Sequence, residues 1–264
     1  MKPAFNNVIL DLDGTLTDSA EGVYNAIGYA LKEIGREVPR SQLRFMLGPP
    51  IIEGFTQLLG GDRALAMKCV SIERVYSNAR GIYEGRVFPG VHDMLEKLKA
   101  AGCRLAVATC RTMPSTVKVL AHYGLSGYFD AVEAPSQQDV NFRGKAGLIE
   151  NILRCFGAKP GESLMAGDRA GDIDGAHDAG VRAAGVLYGY GSREELSRAD
   201  YLCQTPDDIM RLALCWRMSC VLFSPLSFSI WTERSPTPPR GSSTPLSMPC
   251  GISILTCRAP SSIS

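Results

Sequence analysis

Apolar residues recur along this chain in two rhythms, one of strands and one of helices. An unbroken apolar run at 8–12 ends in acidic residues and a Gly-Thr pair, which predicts a buried strand followed by a turn. Ser19 reads as a helix N-cap with Glu21 in the first turn. Tyr24, Ile27 and Leu31 follow at helical spacing to about residue 34, and Gly35 is a natural stop. Residues 40–84 carry only helical signals and predict helices over 42–47, 51–59 and 62–83. From residue 87 the two rhythms alternate. Helices are predicted at 91–101, 112–123, 145–156, 173–179, 193–196 and 207–214, and strands at 104–109, 129–134, 163–166, 182–187 and 200–202. The run at 104–109 is almost continuously apolar, as in a parallel strand covered on both faces. The pattern predicts an α/β fold with a parallel sheet between helices, built from residues 1–16 and 87–214. Residues 17–86 insert an all-helical cap above the sheet edge.

Past residue 214 the periodicity stops, and the Ser-, Pro-, Cys- and Arg-rich stretch 215–264 reads as a disordered extension. Back-translated from the third base of each codon, with free choice of synonyms, residues 229–241 can encode Asp-Leu-Asp-Gly-Thr-Leu-Thr-Asp-Ser-Ala-Glu-Gly. That is the string at 11–22, and the single codon of Trp231 followed by Thr232 forces one of its aspartates. The tail is therefore expected to be an out-of-frame reading of the start of a second, related sequence, a point the encoding DNA decides.

Bulk properties narrow the class. The chain is long enough for a large core, and 45% hydrophobic with 21% charged residues is ordinary for a soluble protein. A net charge of +1, with four of the arginines in the tail, implies no basic face for nucleic acid. The nine cysteines form no Cys-x-x-Cys pair, so reduced thiols in a cytoplasmic protein are expected rather than a zinc site or a disulfide framework. There is no signal-peptide pattern, and the apolar stretch 220–231 is too short, and broken by Pro225, to span a membrane.

Candidate chemistry gathers at strand ends. Asp11 and Asp13 follow the first apolar run, and no loop of alternating oxygen ligands ending in Glu follows them, which weakens a calcium-loop reading. With a pKa of about 3.9 in its free form, Asp11 is an anionic nucleophile suited to attack phosphorus. Asp13 would protonate the leaving alkoxide and then deprotonate water, which calls for a pKa raised by the neighbouring carboxylate. Thr109 can hold a phosphoryl oxygen, Lys145 supplies a cation, and Asp168, Asp11 and the backbone carbonyl of Asp13 offer hard oxygens to Mg²⁺. Taken singly, Asp-x-Asp-Gly is an acidic turn, Thr109 a strand-end hydroxyl, Lys145 a solvated helix-start lysine, and Asp168 and Asp172 helix caps. Their order along the chain, each at or just after a strand, favours one shared site.

These residues resemble the haloacid dehalogenase superfamily. Asp11-Leu12-Asp13-Gly14-Thr15 is similar to its first motif, Thr109 to its second, Lys145 to its third, and Gly167-Asp168-x-x-x-Asp172 to its fourth. The helical insertion, Gly48-Pro49-Pro50, Pro89-Gly90, Gly189-Tyr190-Gly191-Ser192 and Glu194-Glu195-Leu196 resemble the phosphoglycolate phosphatase-like branch. The resemblance implies a Rossmann-like core and a Mg²⁺-dependent phosphatase acting on a small phosphorylated metabolite as a monomer or homodimer. It implies Asp11 as nucleophile, Asp13 as acid/base, Thr109 and Lys145 as phosphate holders, Asp11, Asp13 and Asp168 as metal ligands, and Asp172 as a support behind them. Gly48 and Arg111 are expected at the substrate. Cys110 and Arg111 depart from the small polar residue and Lys usual after the second motif, and Arg111 is expected to face the phosphate or an anionic end of the substrate. A sugar phosphomutase is the alternative, although such mutases usually carry an acidic residue where Gly167 stands. A phospho-receiver domain is a remote one, since receivers are shorter and lack such an insertion.

Overall fold

The computed structural model describes residues 3–48, 50–136 and 143–214. The predicted extension at 215–264 lies outside them. The chain runs through strands β1 (Asn7–Leu10) and β2 (Thr17–Asp18), helices α1 (Ala20–Glu33), α2 (Ile51–Leu58) and α3 (Arg63–Ala79), then β3 (Arg86–Val87). It continues through α4 (Val91–Ala100), β4 (Arg104–Ala108), α5 (Met113–His122), β5 (Ala131–Glu133), α6 (Gly144–Phe156) and β6 (Ser163–Gly167). It closes with α7 (Ala170–Asp178), β7 (Arg182–Val186), β8 (Tyr201–Cys203) and α8 (Pro206–Leu214).

Six strands pair in parallel in the order β5-β4-β1-β6-β7-β8. The chain builds outward from β1 through β4 to β5, then returns to add β6, β7 and β8 on the other side. That reversal opens a crevice at the carboxyl ends of the strands flanking β1, the place where such sheets take ligands. Strand alternation feeds two apolar layers. Val8 and Leu10 face α4, α5 and α8 through Leu95, Leu120 and Ile209, while Ile9 faces α6 and α7 through Ile149 and Ile173. The sheet is an α/β core of the kind the rhythm of the sequence predicts.

The insertion has its own apolar cluster, in which Ile27 and Leu31 of α1 meet Phe55 of α2 and Ala66, Cys69 and Val70 of α3. Its two connections to the core are β2 and β3, which pair antiparallel with Thr17 opposite Val87 and Asp18 opposite Arg86. Strands of two residues carry no periodicity, so they left no trace in the sequence pattern.

Three helix predictions need correction. Residues 42–47 form 3-10 turns at Arg40–Gln42 and Arg44–Met46, because a short segment closed by Gly48 and Pro50 cannot repay helix nucleation. The helix predicted at 62–83 ends at Ala79 and gives way to a 3-10 turn at Gly81–Tyr83. Residues 193–196 form hydrogen-bonded turns, with Leu196 N–H donating to the Ser192 carbonyl at 3.0 Å. Cys69, Cys103, Cys110 and Cys203 are free thiols, and no helix among the described residues is long and apolar enough to cross a membrane.

Candidate active site

Asp11 and Thr109 each stand one residue past a strand, yet their backbones extend the sheet. Asp11 N–H donates to the Ala166 carbonyl at 2.9 Å, and Thr109 N–H to the Glu133 carbonyl at 3.1 Å. Asp168 follows β6 directly. Because β4, β1 and β6 are adjacent, three groups far apart in the chain arrive at one edge. The turn after β1 is tight: Leu16 and Thr17 N–H groups both donate to the Leu12 carbonyl, and Gly14 N–H donates to that of Thr17. Gly14 has φ +92°, and a Cβ there would lie 2.2 Å from Asp168 Oδ2. Gly14→Ala is therefore expected to destabilise by at least ~2 kcal/mol, strain and overlap together. Chemical denaturation measures it, and an unchanged midpoint would contradict the stated overlap.

Lys145, in the first turn of α6, is buried, and its ammonium donates to Asp11 Oδ1 at 2.6 Å and the Ala108 carbonyl at 2.9 Å while lying 2.7 Å from Asp172 Oδ1. Three donors meet three acceptors. Asp172 Oδ2 accepts the Arg169 N–H at 3.1 Å, so this carboxylate both pairs Lys145 and closes the start of α7. Asp168 Oδ2 accepts the Tyr190 N–H at 2.7 Å, while Asp168 Oδ1 is buried with no hydrogen-bond partner. Carboxylate oxygens of Asp11, Asp168 and Asp172 lie within 4.8 Å of one another.

Negative charge exceeds positive at this point. Burial pushes the Asp11 carboxyl up to about 7, with Lys145 pulling down and Asp172 pushing up. Burial, Asp11 and Asp172 push Asp168 up to about 8 against the Tyr190 hydrogen bond and Arg169. Burial alone would favour neutral Lys145, but Asp11 and Asp172 overcome it and raise its pKa, so the ammonium stays charged.

Asp13 departs from expectation. Burial raises its pKa, but the charge and hydrogen bonds of Arg111, with help from Ser19, outweigh that and lower it. Arg111 grips the carboxylate with Nε and Nη2 at 2.8 Å each, donates through Nη1 to Ser115 Oγ at 3.0 Å, and its backbone N–H donates to Thr109 Oγ1 at 3.1 Å. The arginine expected to face the substrate's anion therefore binds the second aspartate. Its fork geometry suits a carboxylate better than a lysine would.

Gly48, with φ +98°, lies against Arg169: a Cβ there would sit 2.8 Å from Arg169 Nη1. Arg169 donates to the Leu47 carbonyl of the insertion and, at 2.8 Å, to Glu195 Oε1 of the core. Tyr190 ties the same loop to the start of α1, its hydroxyl accepting the Ser19 N–H at 2.7 Å. Gly167 has no room for the acidic side chain of the mutase alternative, since a Cβ would lie 2.2 Å from Asp172 Cγ. Sequence reasoning gave no role to Arg169, although an arginine directly after Asp168 was a signal.

The match to the haloacid dehalogenase-like hydrolase family covers residues 8–186. A 5'-nucleotidase of Pseudomonas aeruginosa is 36% identical over 193 residues, 73% of this chain and 87% of that protein. A protein named tyrosine-protein kinase PtkA, from Mycobacterium tuberculosis, is 34% identical over 204 residues, 77% of this chain and 67% of that one. The crystal structure of a predicted phosphatase from Clostridium acetobutylicum superposes with a TM-score of 0.72 at 34% identity, covering 78% of this chain and 97% of the other. With the parallel sheet and the four motif positions gathered at one end of it, these matches make the chain a member of the haloacid dehalogenase-like hydrolases.

Proposed function

We propose that this chain hydrolyses a small-molecule phosphomonoester, nucleotidase-like or phosphoglycolate phosphatase-like, through a phosphorylated Asp11. The observation that carries the proposal is the pairing of buried Asp11 with Lys145 beside an Asp13 held by Arg111. An Asp11 oxygen attacks phosphorus, the bond from phosphorus to the ester oxygen breaks, and the departing oxygen takes a proton from Asp13. Asp13 then removes a proton from water, which attacks the aspartyl-phosphate and frees inorganic phosphate and Asp11. Arg111 favours the ionised Asp13 that the second half needs. In the first half, a phosphate dianion beside Asp13 pushes the other way. Thr109 and Lys145 hold phosphoryl oxygens.

The unpartnered Asp168 Oδ1, the Asp11 carboxylate and the Asp13 carbonyl are hard oxygen donors of the type Mg²⁺ takes, and we assign them to it. When bound, that ion would offset the carboxylates and the phosphate dianion. Asp172, with one oxygen on Lys145 and the other on Arg169, braces the set from behind.

The test is phosphate release by the purified chain over a metabolite panel with Mg²⁺. Turnover abolished by a chelator is expected, and absence of any phosphate release would overturn the reading. The same assay detects another acceptor: a sugar hydroxyl would give an isomer, and a tyrosine, as the mycobacterial relative's name says of that protein, would give a phosphoprotein.

Metal removal has a predicted pH signature. A carboxylate whose folded pKa lies above its unfolded value lends stability that is complete below about pH 4 and is lost as pH rises through the folded pKa. For Asp11 and Asp168 the loss runs through about 7 to about 8. The metal-free melting temperature is expected to fall progressively from about pH 4 to about pH 8 and to level off above that. Mg²⁺ at about a hundredfold excess over Kd should raise it by about 5–10 °C, more at the higher pH. Calorimetry showing no shift with Mg²⁺ would remove the metal from the assignment.

A further inference from the structure

The insertion joins the core through two short strands, and its hydrogen bonds to the core cluster there. The Tyr190 hydroxyl accepts the Ser19 N–H at 2.7 Å, and the Tyr123 hydroxyl accepts the Gly85 N–H at 3.0 Å. Among the described residues a single hydrogen bond links the core to the insertion beyond those connections: Arg169 Nη1 donates to the Leu47 carbonyl. The core end of that bond is braced. Glu195 Oε1 accepts both Arg169 Nε at 2.8 Å and the Ala170 N–H at 3.0 Å, which fixes the guanidinium and leaves its far end to the insertion. The loop that carries Glu195 is in turn seated on Asp168: Tyr190 N–H donates to Asp168 Oδ2 at 2.7 Å, and a Cβ on Gly191 would lie 1.9 Å from the Asp168 carbonyl oxygen. The insertion is fitted as closely. Leu47 is buried, and the guanidinium fills the space that a side chain at Gly48 would need, with a Cβ there 2.8 Å from Nη1 and 3.0 Å from Cδ. Residues 47–48 therefore rest on the side chain that directly follows Asp168, and an Asp168 oxygen lies within 4.8 Å of one on Asp11.

We infer that Arg169 is a positioning residue, a latch that holds the 47–48 segment of the insertion down on the edge of the site while the two connecting strands act as its hinge. It touches the insertion and not the substrate, so it sets the fraction of molecules that are closed and able to retain substrate, whatever the leaving group. A lysine could not hold Glu195 and the Leu47 carbonyl from one rigid plane. The kinetic consequence rests on the phosphatase reading above, and the latch itself rests on these contacts alone.

The test uses the full chain and two variants that meet the contact from opposite sides, Arg169→Ala and Gly48→Ala. Hydrogen exchange is read first, without substrate or metal. Arg169→Ala is expected to speed exchange at 44–48 at least about fivefold, and Gly48→Ala, which changes only the insertion, to speed it at 188–196 in the core, while α1 and α3 exchange as in the parent. With Mg²⁺, Arg169→Ala is expected to raise KM about tenfold for p-nitrophenyl phosphate and for a nucleoside 5'-monophosphate alike. The change in kcat should stay below about threefold, because saturating substrate itself draws the insertion down. Gly48→Ala should raise KM about tenfold in the parent but no more than about threefold on top of Arg169→Ala, since the overlapping side chain is then gone. Exchange unmoved across the boundary, a KM change confined to one substrate, or costs that multiply in full would each overturn the inference. So would faster exchange throughout α1 and α3, which marks lost folding rather than a lost latch. If no phosphomonoester is turned over, the phosphatase reading fails, and the exchange result decides the latch by itself.

Discussion

Replacing Asp11 by asparagine is expected to cut phosphate release at least ~10³-fold, the scale of losing a covalent nucleophile. The amide keeps the shape of the side chain but cannot form the acyl phosphate. The variant should also be more stable than the parent in metal-free buffer above about pH 7. Asp11, Asp168 and Asp172 crowd one ammonium, so removing one carboxylate relieves repulsion that the parent bears without a cation. Lost activity with a raised melting temperature separates a chemical role from a structural one. An asparagine variant as active as the parent would refute the assigned nucleophile, and one that melts earlier at high pH would refute the charge argument.

Lys145→Met should have the largest effect on stability. Methionine matches the length of lysine but removes three donors at once, from Asp11, Asp172 and the Ala108 carbonyl. Two carboxylates are then left buried without their cation. Breaking a buried pair in this way costs about 3–5 kcal/mol, a fall in melting temperature of roughly 6–20 °C for a domain of this size. Phosphate release should be lost with it. Thermal melts of parent and variant in metal-free buffer decide the point, and a difference within about 2 °C would show that the ammonium does not balance the acidic cluster.

Local signals carried much of this. The apolar run before Asp11, the N-terminal position of Lys145 on its helix, and the glycine and aspartates after β6 are each readable within a dozen residues, because strand and helix periods are local properties. Short or non-periodic pieces were not readable. The paired strands at Thr17–Asp18 and Arg86–Val87 and the 3-10 turns at 40–46 depend on neighbours that the local pattern does not contain.

The reading of Asp13 shows where locality ends. Its neighbour in sequence is another aspartate, which argues for a raised pKa. Its neighbour in space is Arg111, 98 residues away, which lowers it. The sign of a pKa shift follows from which charges folding brings within a few ångströms, and separation along the chain says nothing of that. The same holds for Arg169 reaching the Leu47 carbonyl, 122 residues away.

From the sequence by itself came the α/β architecture, the helical insertion and the set of acidic, hydroxyl and ammonium groups, since periodicity and motif spacing are written along the backbone. Only the tertiary structure decided which carboxylate holds Lys145, which one Arg111 grips, and which oxygen of Asp168 is left without a partner. Those outcomes depend on side chains up to 134 residues apart meeting in a buried place, where each missing or added charge counts heavily.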